Sequence, residues 1–402
     1  MRVISQSVDD QIFDVETVFD VYSGRGTAAH PPDLLLKLAI YEHCRGQTKP
    51  IQWHRDLKSD IKVQWLTFGM KVTRKALYRF RDRVGSLLED WHKQVLELAV
   101  AEELVDGHQA SIDGTTVAAN ASRRKLANMQ QIEKRLEQLE NAMLSSPETT
   151  SLDTPGQDSA DPSQDPGWMA KTDTGKLGQH ARYLKAKERL TELHAENKKR
   201  RSDKRKPEEK IVVSLTDPES VFGRDKEKVY RPLYNVQTVS DLATDFVLAY
   251  EVFAQHSDSG TLQYSGMKTR QRANGETIPF DVYRASPLDC TACPLQARCT
   301  TVPEKGRTVR RDPHQEEIDR LKTRMQTDQA KRLYKRRGQT IERVFADFKE
   351  HRNLRRFRGR GLTRARTQTG LTVLGHNLRI ISKLREIKKQ EADNAIAPKN
   401  AA

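Results

Sequence analysis

The sequence predicts an α/β fold, a mixed sheet with helices, preceded by an all-helical N-terminal domain and interrupted by a helical hairpin. Three observations predict it. Apolar residues recur at helical spacing through the first hundred positions. Runs rich in β-formers begin at Gln109 and resume at Ile211, with two charged helical stretches between them. A basic amphipathic helix is expected from Lys331 to Lys349, after the sheet.

Composition narrows the partner. The 402 residues include 70 Lys and Arg against 55 Asp and Glu, a net charge of +15 with a pI near 9.6. This balance favours nucleic acid as the partner, with an anionic membrane surface as the competitor. No apolar run approaches the ~18 residues of a membrane span, and no signal peptide opens the chain. A cytoplasmic protein with no membrane partner is expected.

Residues 1–105 are predicted to form the helical domain. Pro31, Pro32 and Asp33 precede an apolar run, as at a helix start. A further helical run, from Thr73 to Ala101, carries several cations in its first turns and follows a turn at Gly69. This pattern fits a helix-turn-helix-like contact with DNA, and it fits a helical bundle equally well.

Residues 106–264 are predicted to form the first part of the sheet domain, with a helical insertion at 122–205. The insertion has an apolar seam at alternating spacings of three and four, typical of a helical hairpin: Ile132, Leu136, Leu139 and Met143. The hairpin is interpreted as a spacer, a DNA contact or a dimerisation element. Three β-rich runs after Ile211 predict an antiparallel meander.

Two acids are candidates for chemistry. Asp113 is followed by Gly114 in a β-type run, where glycine lets the backbone turn and the carboxylate point into a cleft; a plain hairpin turn is the alternative. Glu342 lies in a segment, Lys331 to Arg366, with 14 basic residues against 3 acidic ones. An ion-paired surface helix is the alternative there. An acid on the first strand and an acid on a late helix form the ribonuclease-H-like arrangement for two-metal phosphoryl transfer.

A family resemblance rests on four motifs in this order: SIDGTTVAAN, SLTDPES, YRPLYNVQTVSD and RGQTIERVFADFKEHRNLRRFRGRGL. Together they resemble the DDE transposases of bacterial insertion sequences, in the branch with an N-terminal helical domain and a cysteine-bearing insertion. The likeness extends from about Ser23 to Lys383. It implies a ribonuclease-H-like domain that binds Mg²⁺ (or Mn²⁺) through three acids and cuts and joins DNA. It also implies the element's terminal inverted repeats and target DNA as partners, a homo-oligomer, and a place in the cytoplasm with the nucleoid.

The resemblance carries over to particular residues. Asp113 and Glu342 match the first and last acids of the family's catalytic, metal-binding set. Lys349 matches the lysine after the glutamate, seven residues on and so two α-helical turns along the same face. The remaining DNA-binding candidates precede or follow that helix segment: Tyr334, Arg337, Arg355, Arg356 and Arg358.

The family's second aspartate has no counterpart. Its Ala-Asp-x-Gly-Tyr-type motif is missing, and only 20 residues separate Asp258 from Pro279, whereas a strand-helix-strand crossover needs ~30. An internal deletion is therefore predicted, with a gap in the sheet near Gly260 to Gly275 and Asp258 as the nearest carboxylate. Two functions follow: a transposase, inactive if no other acid fills the site, or a catalytically dead DNA-binding remnant that represses transposition.

Residues 265–320 are predicted to form the cysteine-bearing insertion. Cys290, Cys293 and Cys299 have the C-x2-C-x5-C spacing of a metal knuckle, with His314 as a fourth ligand. Structural zinc, an iron–sulfur centre and reduced thiols all remain open.

Residues 321–387 are predicted to form the C-terminal catalytic helices with the basic segment. An apolar stripe there is expected to pack against the sheet: Leu371, Leu374, Leu378, Ile381 and Leu384. Residues 388–402 are predicted to be a disordered tail.

Overall fold

The computed structural model describes residues 1–20, 30–105, 107–144, 165–198, 202, 205–254, 281–284, 308–311 and 315–396. The chain divides into two compact units, Met1–Asp258 with Thr340–Ala402, and Ser259–Gln339. Both contain helices and antiparallel strands. Among the described helices, none has the length and apolar character to cross a membrane.

The first unit opens with seven helices: α1 (Arg2–Asp9), α2 (Thr17–Asp20), α3 (Pro32–Cys44), α4 (Pro50–Ser59), α5 (Ile61–Leu66), α6 (Arg74–Val84) and α7 (Leu88–Ala101). As predicted, a helix begins at Pro32, because proline suits the first helical turn. Trp53 and Trp91 are fully buried in the shared core. The helical region expected from the sequence is therefore present.

The break between α6 and α7 was not predicted, since Thr73 to Ala101 was expected as one run. Gly85 lies at the break, against the last helix of the chain. A Cβ at Gly85 would come within 2.3 Å of the Thr367 hydroxyl oxygen. The close approach of two helices, which sequence periodicity does not reveal, therefore requires glycine here.

The main sheet has four strands: β1 (Ala110–Ala118), β4 (Val221–Arg224), β5 (Tyr230–Asp241) and β6 (Val247–Phe253). All three strand pairings are antiparallel, as the meander prediction required. β5 pairs with β1 along one edge. Along the other edge, the first residues of β5 pair with β4 and its later residues pair with β6. β1 therefore lies at the end of the order of the described strands.

A helical hairpin follows β1 and confirms the predicted apolar seam. The elements are β2 (Leu126–Ala127), α8 (Met129–Leu144), α9 (Asp173–Lys198) and β3 (Val213–Ser214), which pairs with β2. Ile132, Leu136 and Leu139 of α8 form a small core with Tyr183 and Leu190 of α9. β3 was expected in the main sheet, but it pairs with β2 outside it.

The second unit contains an antiparallel pair, β7 (Asp281–Arg284) with β8 (Thr308–Arg311), and the helix α10 (Gln315–Gln326). The helix α11 (Asp328–Ala346) begins in this unit. The stretch predicted to show a gap, Gly260 to Gly275, lies outside the described residues.

The chain ends in the 35-residue helix α12 (Leu362–Ile396). The stripe Leu371, Leu374, Leu378 and Ile381 belongs to the core of the N-terminal helices, against which Leu248 of β6 also packs. The expected packing of this helix against the sheet is therefore present, but the sheet shares the helix with the N-terminal core. The residues of α12 that join the core of the sheet are Ala365 and Val373. The tail from Lys388 is helical as far as Ile396, so the predicted disorder is wrong over that stretch.

Candidate functional site: a strand, a helix and a basic segment

Asp113 lies in the middle of β1, opposite Thr238 of β5. The strand continues through Gly114 to Ala118, so the alternative of a hairpin turn at Asp-Gly is wrong. Side chains alternate along a strand, so Asp113 shares a face with the buried Thr115 and Val117. The Asp113 carboxylate is half-buried and accepts a hydrogen bond of 2.8 Å from the Gly114 backbone N–H.

Glu342 lies on α11, next to the buried Ile341, which shares a core with Val117 of β1. The Glu342 side chain is exposed. Among the described residues, no Lys, Arg or His nitrogen lies within 4.0 Å of the Glu342 carboxylate, so the ion-paired alternative has no support there.

Lys349 joins the helical segment to the strand. Its ammonium Nζ donates a hydrogen bond of 2.6 Å to the Thr115 hydroxyl, on the same face of β1 as Asp113. Burial lowers the pKa of Lys349, and the positive charges of Lys226 and Arg355 lower it further. Three neighbouring cations repel one another, and an anion bound among them would relieve that repulsion.

Two further contacts show that the helix and the segment after it run beside β1 in the same direction. The Thr340 hydroxyl lies 3.5 Å from the carbonyl oxygen of Leu242, whose N–H bonds to Gln109 just before β1. At the other end of β1, Ala118 forms a parallel bridge with Arg356. Glu342 therefore belongs to the part of the helix beside the first half of β1, the half that contains Asp113.

A π-helical turn, Asp347–His351, separates α11 from the remainder of the basic segment, residues 352–366. Sequence reasoning assumed regular α-helical turns from Glu342 to Lys349. The wider π turn adds about one residue per turn and changes the direction of Lys349. The assumption that Lys349 lies two α-helical turns from Glu342 is therefore wrong, although the lysine still reaches β1.

A buried ion network holds this turn, and the sequence analysis missed it. Arg352 is fully buried, and its Nε donates a 2.6 Å bond to the Asp347 carboxylate, which also contacts His376 Nδ1 at 2.8 Å. Burial raises the pKa of Asp347, but the bond from His376 and the charge of Arg352 outweigh it and hold the pKa below its usual range. Arg352 also donates to the Cys44 sulfur of α3, at 3.2 Å. In the sequence, the signal for this network was the pair Asp347 and Arg352, which lie five residues apart.

The predicted phosphate-binding arginines differ in their surroundings. Arg355 and Arg356 are exposed, whereas Arg358 is half-buried. Arg355 pairs with Glu350, and its other nitrogen lies 3.6 Å from Glu227. Arg356 donates to a backbone carbonyl at 3.1 Å. Burial lowers the pKa of Arg358, with a contribution from Arg356. Arg355 and Arg356 are therefore better placed for DNA than Arg358.

A surface depression beside Lys349 combines both signs of charge. Its charged lining is Asp225, Lys226, Glu227, Arg231, Lys349 and Arg355. Arg231 and Asp225 form an ion pair of 2.7 Å. The cations that could bind a phosphate here already have acidic neighbours.

Tyr334 and Arg337 lie on α11 within the second unit. The Tyr334 side chain is 59% exposed. The Arg337 guanidinium stacks over its ring, 5.1 Å from the centroid. This pairing leaves a flat aromatic and cationic surface on the helix.

The metal-binding expectations have no structural test. Cys290, Cys293, Cys299 and His314 lie outside the described residues. Within the described ranges, no group of three or more His, Cys, Asp or Glu side chains could hold a metal ion. The carboxylate oxygens of Asp113 and Glu342 suit Mg²⁺ chemically, but they are one acid short of the expected three.

Comparison with protein families matches residues 259–382 to the family described as "Transposase DDE domain". The matched range contains Glu342, Lys349 and the basic segment, while Asp113 precedes it. Neither the comparison with curated proteins nor that with solved structures finds a match. Over this range the chain is similar to the DDE transposases, and the match confirms the resemblance to the transposases of insertion sequences there.

Proposed function

We propose that this chain acts on DNA as a transposase, binding the ends of its insertion sequence and cleaving and joining DNA strands. The proposal rests on one observation above the rest. Lys349, in the segment that follows the Glu342 helix, bonds to the strand face that contains Asp113. The family match over residues 259–382 gives the chemical class.

In this proposal the antiparallel sheet and the part of α11 from Thr340 onward form a ribonuclease-H-like catalytic domain. Asp113 and Glu342 hold Mg²⁺ or Mn²⁺, which when bound activates the attacking hydroxyl and stabilises the phosphate in strand transfer. Lys349 supplies a positive charge beside the acids for the phosphate being transferred. Tyr334, Arg337, Arg355 and Arg356 hold the DNA backbone. Such a protein works in the cytoplasm with the nucleoid, as a homo-oligomer that brings two ends together.

A second candidate is a DNA-binding remnant that represses transposition. Two observations favour it: the short interval from Asp258 to Pro279, and the place of β1 at the end of the order of described strands. An internal deletion that removed a crossover and the second aspartate would produce both. A metal site with two of its three acids binds Mg²⁺ weakly.

Strand cleavage on the element's own ends, with Mg²⁺ or Mn²⁺, tests both candidates. A remnant binds DNA but leaves it intact. An active transposase cleaves it, and Asp113→Asn or Glu342→Gln abolishes cleavage without weakening binding. Glu97→Gln, an exposed acid on α7, is the matched control and should leave cleavage unchanged.

If cleavage occurs and Asp258→Asn also abolishes it, Asp258 replaces the missing aspartate and the deletion has not inactivated the chain. If both Asp113→Asn and Glu342→Gln cleave at the rate of the unaltered chain, the proposed catalytic site is wrong.

A further inference from the structure

Large apolar side chains are exposed on α5 and in the turn between α5 and α6. Ile61 is 78% exposed, Trp65 is 54% exposed and Phe68 is 82% exposed. Ile61 and Trp65 are four residues apart on α5 and so share one face, and Phe68 follows just after the helix ends. We refer to Trp65 and Phe68, together with the neighbouring aliphatic Ile61, as the aromatic tip.

The backbone at Phe68 is in the left-handed conformation, with φ at 49°. The Gly69 N–H bonds to the Gln64 carbonyl at 2.8 Å, and the Phe68 N–H bonds to Trp65 at 3.4 Å. This is the Schellman ending of a helix, and Phe68 occupies the position at which glycine is usual. A bulky residue there is strained.

The strain at Phe68 has no compensation from packing, because the side chain is exposed. Residues held in strained conformations cluster at binding sites. Glycine would relax the turn, and the chain has one immediately after it. The structure therefore points to a role for the Phe68 ring outside the fold of the monomer.

The surroundings of the aromatic tip identify the partner's charge. Five of the exposed cations on α5 and α6 or between them are Lys62, Lys71, Arg74, Lys75 and Arg79. None of the five has an acidic side chain within 4.0 Å among the described residues, although elsewhere in the same unit exposed cations are paired, as Arg385 is with Glu102. Two nearby acids are already paired: Asp60 binds Arg45 at 2.7 Å and caps α5, and Asp82 of α6 binds Arg364 at 2.8 Å.

We propose that the aromatic tip inserts Phe68 and Trp65 against unstacked bases of DNA while the five cations hold the phosphates on either side. Aromatic rings with flanking cations are the combination that binds exposed bases. An anionic membrane suits the tip less well, because α5 exposes only two large apolar side chains, Ile61 and Trp65, and binding to a membrane surface scales with the apolar area that is buried. The proposal rests on the proposed function only in taking DNA as the ligand.

The test compares two fluorescein-labelled probes by anisotropy with the full chain in EDTA, where no cleavage occurs. One probe is a plain duplex, and the other is the same duplex with a short mismatched bubble. The unaltered chain should prefer the bubble by about tenfold, which corresponds to about 1.4 kcal/mol. Phe68→Gly should remove this preference, change duplex affinity little, and leave the melting temperature unchanged or raised.

Controls separate the alternatives. Phe19→Ala, at a half-exposed aromatic on α2, should keep the preference. The double substitution Lys71→Gln with Arg74→Gln should weaken binding to both probes by the same factor. The proposal is overturned if the unaltered chain shows no preference or if Phe68→Gly retains it. It is also overturned if Phe68→Gly changes only self-association or binding to anionic vesicles. Because no metal is present, failure here leaves the catalytic proposal standing, and failure of cleavage leaves this result standing.

Discussion

The buried carboxyl of Glu42, on α3, should make the stability of the protein fall as the pH rises. Its side chain is fully buried, and its nearest cation is Arg45 at 3.4 Å. Burial raises the pKa of Glu42, and the charge of Arg45 opposes this effect. Together with the neighbouring carboxyls of Asp56 and Asp60, which raise it further, the pKa is about 8. The buried Glu42 Oε2 has no hydrogen-bond partner among the described residues, so the neutral acid is the form that fits the core.

The sign follows from proton binding. Between the usual value of 4.5 and about 8, the folded state holds a proton that the unfolded state has lost. Stability is therefore full below pH 4.5 and decreases towards pH 8. At one pKa unit for about 1.4 kcal/mol, the loss at pH 7 is up to about 3 kcal/mol.

Glu42→Gln removes this dependence, because the amide is neutral at every pH. Urea unfolding followed by tryptophan fluorescence, at several values from pH 4.5 to 8, measures it. The variant should match the unaltered chain at pH 4.5 and exceed its free energy of unfolding at pH 7. Glu97→Gln, on the surface of α7, should follow the unaltered chain throughout. A variant that is less stable at pH 7, or that has the same slope with pH, would refute the assigned burial of an acid.

Two further predictions concern the segment after α11. Asp347→Ala leaves the buried Arg352 without its carboxylate and should lower the free energy of unfolding by about 3–5 kcal/mol at neutral pH, measured by urea unfolding. The loss should shrink at strongly acidic pH, where Asp347 is protonated in both states; an equal loss at every pH would contradict the ion network. The double substitution Arg355→Gln with Arg356→Gln should weaken binding to DNA of every sequence by the same factor. It should also reduce the slope of log affinity against log salt by about 0.9 per lost phosphate contact. Arg358→Gln should change the slope less; an equal change would show that its half-buried position does not matter.

The two units bear differently on these experiments. Glu42, Asp347 and the aromatic tip belong to the first unit, and Tyr334 and Arg337 belong to the second. Urea unfolding of the whole chain can show more than one transition. The Glu42 and Asp347 comparisons therefore use the transition that changes the fluorescence of Trp53 and Trp91, which are buried in the N-terminal core.

Local elements and the family were readable in the sequence. The start of α3 at Pro32, the length of β5 and the seam of the α8–α9 hairpin follow from short-range rules of backbone geometry and side-chain spacing. The motif order named the transposase family that the match over residues 259–382 supports. These features are encoded within a few residues of one another, so no tertiary information is needed.

Tertiary structure alone decided which surfaces meet. The apolar stripe of α12 specified a buried face, but the core that it joins consists mainly of the N-terminal helices with only the margin of the sheet, because periodicity determines a direction and not a neighbour. The same holds for the Lys349 bond to Thr115, which depends on a π turn and spans 234 residues of sequence. The strained backbone of Phe68 left no local signal, since only the φ angle in the folded chain shows that a bulky residue occupies a glycine position.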